Sequence, residues 1–170
     1  MRGFLRAEKG ATALEFALVA TPLMAVLFGS MQIAIVFYFD QVLQTAAIQA
    51  GRTLMVGSAQ KQALTASQFK TAVCNSISSA FTCSSLMIDV QSANSFSNLS
   101  TTPITLTYNG SGQVTNSFSY SPGSQGSVVI IRLLYDWPVF GSVFAPGLDD
   151  QGNSTHLLVG TSVFKNEPYS

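Results

Sequence analysis

Charge is scarce in this chain. Eight Lys and Arg balance eight Asp and Glu across 170 residues, so the net charge is zero and charged residues make up only 9%. Without a basic excess there is no field to hold a phosphate backbone, and nucleic acid is not an expected partner. Histidine is scarcer still. His156 stands alone with no cluster of acids around it in sequence, which favours a solvent-facing or strand-edge role over that of a catalytic base or metal ligand. No G-x-S-x-G elbow, phosphate loop or paired-carboxylate motif occurs. Asp149 and Asp150, in "APGLDDQGNS", lack the acid spacing of an EF-hand and read as a polar turn. No enzymatic activity, metal or cofactor is therefore expected.

Cysteine is limited to Cys74 and Cys83. Two cysteines cannot supply a four-ligand zinc site, and their spacing is not that of a redox Cys-x-x-Cys pair. In an oxidising compartment the simplest reading is one disulfide closing a short loop; in the cytoplasm two buried free thiols would be the better one. Charge also fails locally. Between Lys70 and Arg132 only Asp89 is charged, while 22 of the 37 residues from Gln91 to Ser127 are Ser, Thr, Asn or Gln. Such a wet but nearly uncharged surface fits a location outside the cytoplasm.

One feature is present in excess, a run of 24 residues from Phe16 to Phe39 without a formal charge. As a helix rising about 1.5 Å per residue it spans roughly 36 Å, enough to cross a hydrocarbon core of about 30 Å. Arg2, Arg6 and Lys9 precede it against the single acid Glu8, whereas the first charge beyond it is Asp40 and the first base Arg52. The positive-inside rule keeps the leader in the cytoplasm and exports the chain beyond Phe39. A cleaved secretory signal is the competing reading, with small residues near Ala47 or Ala50 imitating a cut site. The apolar core, however, is too long for it.

Glu15 stands at the head of this run, where a carboxylate is costly unless neutralised. A cut after Gly10 would make Ala11 the new amino terminus, four residues before Glu15 and on the same helical face. The α-amine and the carboxylate could then pair within one chain or between adjacent helices. Alternatively, Glu15 reaches polar headgroups and needs no special partner.

The arrangement of a short basic leader, Gly10, "ATAL", Glu15, the aromatic Phe16 and an apolar helix is the pattern read by prepilin peptidases. With the cysteine-bearing "AVCNSISSAFTCSSLMIDV" (72–90), "VVIIRLLYDWPVF" (128–140) and the closing "LLVGTSVFKNEPY" (157–169), the chain resembles the TadE-like pseudopilins of the tight-adherence (Tad/Flp) pilus system. The window from Gln91 to Ser127 carries no motif of that resemblance. The resemblance implies a prepilin leader at 1–10, a transmembrane and assembly helix at 11–57 and an exported domain at 58–170. It further implies a processing site at Gly10, Ala11, Glu15 and Phe16, and a pseudopilin or minor pilin of the bacterial inner membrane with a periplasmic C-terminal domain. The implied partners are prepilin peptidase, other pilins and pseudopilins, inner-membrane pilus assembly components and the lipid bilayer. A function of another class stays open, that of an uncleaved, single-pass anchored module whose polar domain binds or adheres.

Ala13, Ala17, Thr21, Ala25 and Gly29 place a small residue at every fourth position, a row that permits close helix approach in lipid, although small residues are common in membrane helices in any case. Pro22 cannot bond back to Leu18, so a bend or local loosening is expected there. Beyond Asp40, Val42, Leu43, Ala46, Ala47, Ala50 and Leu54 suit an amphipathic continuation, with Gly57 as its stop. A second helix is readable from a Thr65 or Ser67 cap through Phe69, Val73 and Ile77.

Strands are expected at "LMIDV" (86–90), at "ITLTY" (104–108) paired in a hairpin with "VTNSFSY" (114–120), and at "HLLVGTSVF" (156–164). "SVVIIRLLYDW" (127–137), apolar on both faces, should be central. Trp137 and Tyr135 at its end read as core or as an adhesive aromatic surface. The fold class is α+β, a long N-terminal membrane-spanning helix followed by a pilin-like domain with helices on a mostly antiparallel sheet.

Overall fold

The computed structural model describes residues 8–139, 147–151 and 154–168. Arg2, Arg6, most of the leader, part of "APGLDDQGNS" and Tyr169 lie outside the described residues. A single helix, α1 (Glu8–Met55), runs through Pro22 and continues the whole apolar stretch into the domain. Immediately before it, the Thr21 hydroxyl donates to the Ala17 carbonyl at 2.7 Å. Gly57, in the left-handed conformation at φ 73°, ends the helix and begins the one-turn α2 (Ser58–Lys61). Helix α3 (Ala66–Ile77) starts on a capping box. The Thr65 side chain accepts from the Gln68 N–H, and the Gln68 side chain accepts from the Thr65 N–H at 2.9 Å.

Three antiparallel strands complete the domain, β1 (Met87–Ala93), β2 (Val128–Pro138) and β3 (Thr155–Lys165), with β2 in the centre. The expected central strand is thus observed, and its apolar run is buried from Val128 to Tyr135. One sheet face carries Val90, Val129, Ile131, Leu133, Tyr135 and Leu158, which join Leu43, Ala47, Ala50 and Leu54 of α1 and Phe69, Val73 and Ile77 of α3 in the main core. Cys74 and Cys83 are disulfide-bonded, with Cα atoms 5.6 Å apart, tying α3 to the segment that leads into β1.

The opposite sheet face is where expectation and structure part. Residues 104–108 and 114–120 do not form strands; they meet at a single bridge between Tyr108 and Val114, and Tyr120 makes one more with Val90. The expected antiparallel return is present but short: around that bridge the Thr115 N–H donates to the Thr107 carbonyl at 2.8 Å and the Asn109 N–H to the Gln113 carbonyl at 2.9 Å, Leu106 is buried, and beyond this a side-chain amide takes over. Asn116 Oδ1 accepts from the Thr107 N–H at 2.7 Å, and its Nδ2 donates to the Thr105 carbonyl at 2.9 Å. Within the polar window, Leu99 packs on the opposite sheet face with Val128 and Ile130, whereas Ser119 and Ser121 bond to Val90 at the β1 edge. Asp89 (3% exposed) and Arg132 (6%) are cross-strand neighbours, each satisfied separately. Asp89 accepts from the Ser119 N–H and from Gln91, both at 2.9 Å, while Arg132 donates to the carbonyls of Ser100 and Thr102. A buried charge needs such partners, and the window supplies them without adding charge, mostly from its backbone and once from the Gln91 amide. Tyr108 donates to Asp136 at 3.0 Å, and burial, followed by this carboxylate, pushes its phenol up to about 12.

The end of β3 closes the domain. Asn166, 2% exposed, donates to the carbonyls of Pro122 and Ser124, and the Glu167 N–H caps the Met55 carbonyl at 2.9 Å. The tail therefore satisfies an acceptor that the end of α1 leaves open.

Candidate functional site

The region with the clearest functional character is the free part of α1. A span from Thr12 to Met55 is long and apolar enough to cross a membrane, and only 11% of its most apolar window is buried. Leu14, Phe16, Leu18, Val19, Leu23, Val26, Leu27, Phe28 and Met31 are all exposed, and Phe16 reaches 75%. Exposed apolar side chains on every side of a helix suit lipid or other helices and not water.

The residues expected at the processing site fall on this free part. Gly10 is exposed, and a Cβ there would meet nothing within 4 Å. Ala11 follows within α1, and Glu15 and Phe16 are exposed one turn on. Of the small-residue row, Ala13, Ala17 and Thr21 are exposed, Ala25 is half-buried and Gly29 is buried.

From Val36 onward the same helix becomes part of the core. Two glycines allow the contact. A Cβ on Gly160 of β3 would lie 2.5 Å from the Leu43 carbonyl oxygen, and one on Gly51 would come within 3.0 Å of the Phe164 ring. Gln44 then locks the edge strand to the helix, its Oε1 accepting from the Thr161 N–H and its Nε2 donating to the Thr161 carbonyl, both at 2.8 Å. The amide imitates the missing neighbour strand at one residue, protecting an edge that would otherwise present unpaired groups. Sequence reasoning missed Gln44. It did not use Gly160, although a glycine inside a strand pattern signals close backbone approach.

Where α1 leaves the domain, aromatic rings collect. Phe39 stacks on Trp137 with centroids 4.1 Å apart and meets Phe81 edge-on at 5.7 Å; Phe81 meets Tyr135 at 4.9 Å. Tyr135 is buried and is core, whereas Trp137 is half-buried at the rim. His156 lies on the edge strand β3, its Nδ1 3.0 Å from the Leu148 carbonyl and 3.4 Å from Asp150. Asp150 also accepts from the Leu157 N–H, the behaviour of a turn residue. Among the described residues no cluster of three or more His, Cys, Asp or Glu could hold a metal ion.

A family model described as TadE-like protein matches residues 10–52. The match begins at Gly10 and covers the free part of α1 together with most of its packed part. No curated protein and no solved structure matches the chain.

Proposed function

We propose that the chain is a pseudopilin or minor pilin of the tight-adherence pilus system, held in the membrane by α1 and acting in pilus biogenesis. The observation that carries this reading is the TadE-like match over residues 10–52, coincident with a helix that leaves its apolar side chains uncovered. In this reading prepilin peptidase cuts between Gly10 and Ala11. Among the described residues nothing lies within 4 Å of a Cβ at Gly10, which favours close approach to the backbone. The new Ala11 ammonium and Glu15 then neutralise each other in a medium that solvates neither. Ala13, Ala17, Thr21, Ala25 and Gly29 admit neighbouring helices of other pilins or of the assembly apparatus. The C-terminal domain faces the periplasm, with the disulfide formed there. The role is one of assembly rather than catalysis.

Intact mass of the membrane-extracted protein tests the central step. A chain beginning at Ala11 is expected, and a bulky replacement of Gly10 should leave the leader attached. A wild-type chain beginning at Met1 would transfer the reading to an uncleaved anchored binding module. One beginning beyond Phe39 would make the apolar run a secretory signal.

A further inference from the structure

Strand β3 runs alongside α1 in the same direction. Gly160 lies against Leu43, Ser162 and Phe164 lie against Gly51, and Glu167 bonds to Met55. Followed the other way, the start of β3 and the paired end of β2 come level with the point where α1 emerges from the domain. There Trp137 stacks on Phe39, while Phe37 and Tyr38 remain 65% and 64% exposed. The roughly 20 residues from Phe16 to Ile35 span about 30 Å as a helix, the thickness of the hydrocarbon core. Phe37, Tyr38, Phe39 and Trp137 thus fall just beyond it, at the depth where the amphipathic rings of Tyr and Trp are favoured. Basic residues do not contribute. None occurs between Lys9 and Arg52, and Asp40, Asp136, Asp149 and Asp150 occupy this end of the domain.

We infer that Trp137, with Phe37, Tyr38 and Phe39, forms an aromatic ledge that seats the folded domain in the interfacial layer of the lipid bilayer, so that it does not hang free on its helix. The inference rests on the membrane-anchored reading and adds a second membrane contact, made by the sheet. It holds for zwitterionic lipid, because rings and not charges make the contact.

Trp137 is the sole tryptophan, so its fluorescence reports the ledge without any substitution. The full chain is reconstituted into phosphatidylcholine vesicles carrying bromine either near the glycerol backbone or near the chain ends, and membrane insertion is checked separately by resistance to alkaline carbonate. Quenching by the shallow bromine is expected to exceed that by the deep bromine by about twofold, as an interfacial depth requires. Replacing part of the lipid by phosphatidylglycerol should leave the quenching unchanged. Emission unquenched by either lipid in carbonate-resistant protein would overturn the ledge while leaving the membrane helix standing. Quenching that appears only with anionic lipid would overturn it as well. Extraction by carbonate would overturn the membrane-anchored reading and the ledge with it.

Discussion

The two halves of α1 are one continuous helix in two surroundings. Up to Ile35 its surface is Leu, Val, Phe and Met on all sides, and nearly all of it is exposed. From Val36 the buried positions are Val36, Leu43, Ala46, Ala47, Ala50, Gly51 and Leu54, while Gln41, Thr45, Gln49 and Thr53 face outward. The first pattern needs an apolar solvent; the second needs only a sheet to lie on. The exposed half and the domain thus share one continuous helix, with no break in it between them.

Substitutions that act on one half and spare the other sharpen this contrast. The largest effect on the fold should come from Gly160→Ala, since even a methyl group would drive β3 away from the Leu43 backbone. A loss of about 3 kcal/mol is expected by urea unfolding of the detergent-solubilised protein. Gly51→Ala should cost less, because the atoms it meets belong to side chains that can turn. Next, Cys83→Ser opens the bridge to Cys74 and should cost roughly 2–3 kcal/mol, the lower part of the usual range because the loop is short. Wild-type protein under reductant should reproduce that loss, which separates the bridge from any other role of Cys83.

Gln44→Ala removes both hydrogen bonds to Thr161 and should cost about 1–2 kcal/mol. It should also raise concentration-dependent association, measurable by light scattering, as the β3 edge loses its cover. The smallest effect on the fold is expected from Glu15→Gln on the exposed half. The unfolding midpoint and leader cleavage should be unchanged, while surface piliation and recovery of other pilus components fall. Normal piliation would return Glu15 to the role of a headgroup contact.

Much of the architecture was legible because its signals are local. The Thr65 cap, the stop at Gly57 and the apolar run of β2 each declare their element within a few residues. The hairpin expected at 104–120 is present only as a short antiparallel return around Tyr108 and Val114, and it does not extend into two strands, for a physical reason. Alternation records which side chains are buried, and Leu106 is buried; it does not record how far the backbone pairing runs before the amide of Asn116 takes over at Thr107 and Thr105. Gln44 was illegible for a related reason, since its partner Thr161 lies 117 residues away. The seating of Trp137 on Phe39 likewise depends on two distant segments meeting, and neither carries a sign of the other.

The parallel course of β3 and α1 also decides how the domain would bear a load. A pull along the helix axis, applied through the exposed half, reaches the domain over the whole contact from Leu43 to Met55. Gln44 transfers it to Thr161 near the middle of β3, and Glu167 receives it at the far end. Because β3 lies along that direction, its hydrogen bonds to β2 are loaded together in shear and are not peeled one after another. The helix and the edge strand thus act as a lap joint, in which resistance grows with overlap length.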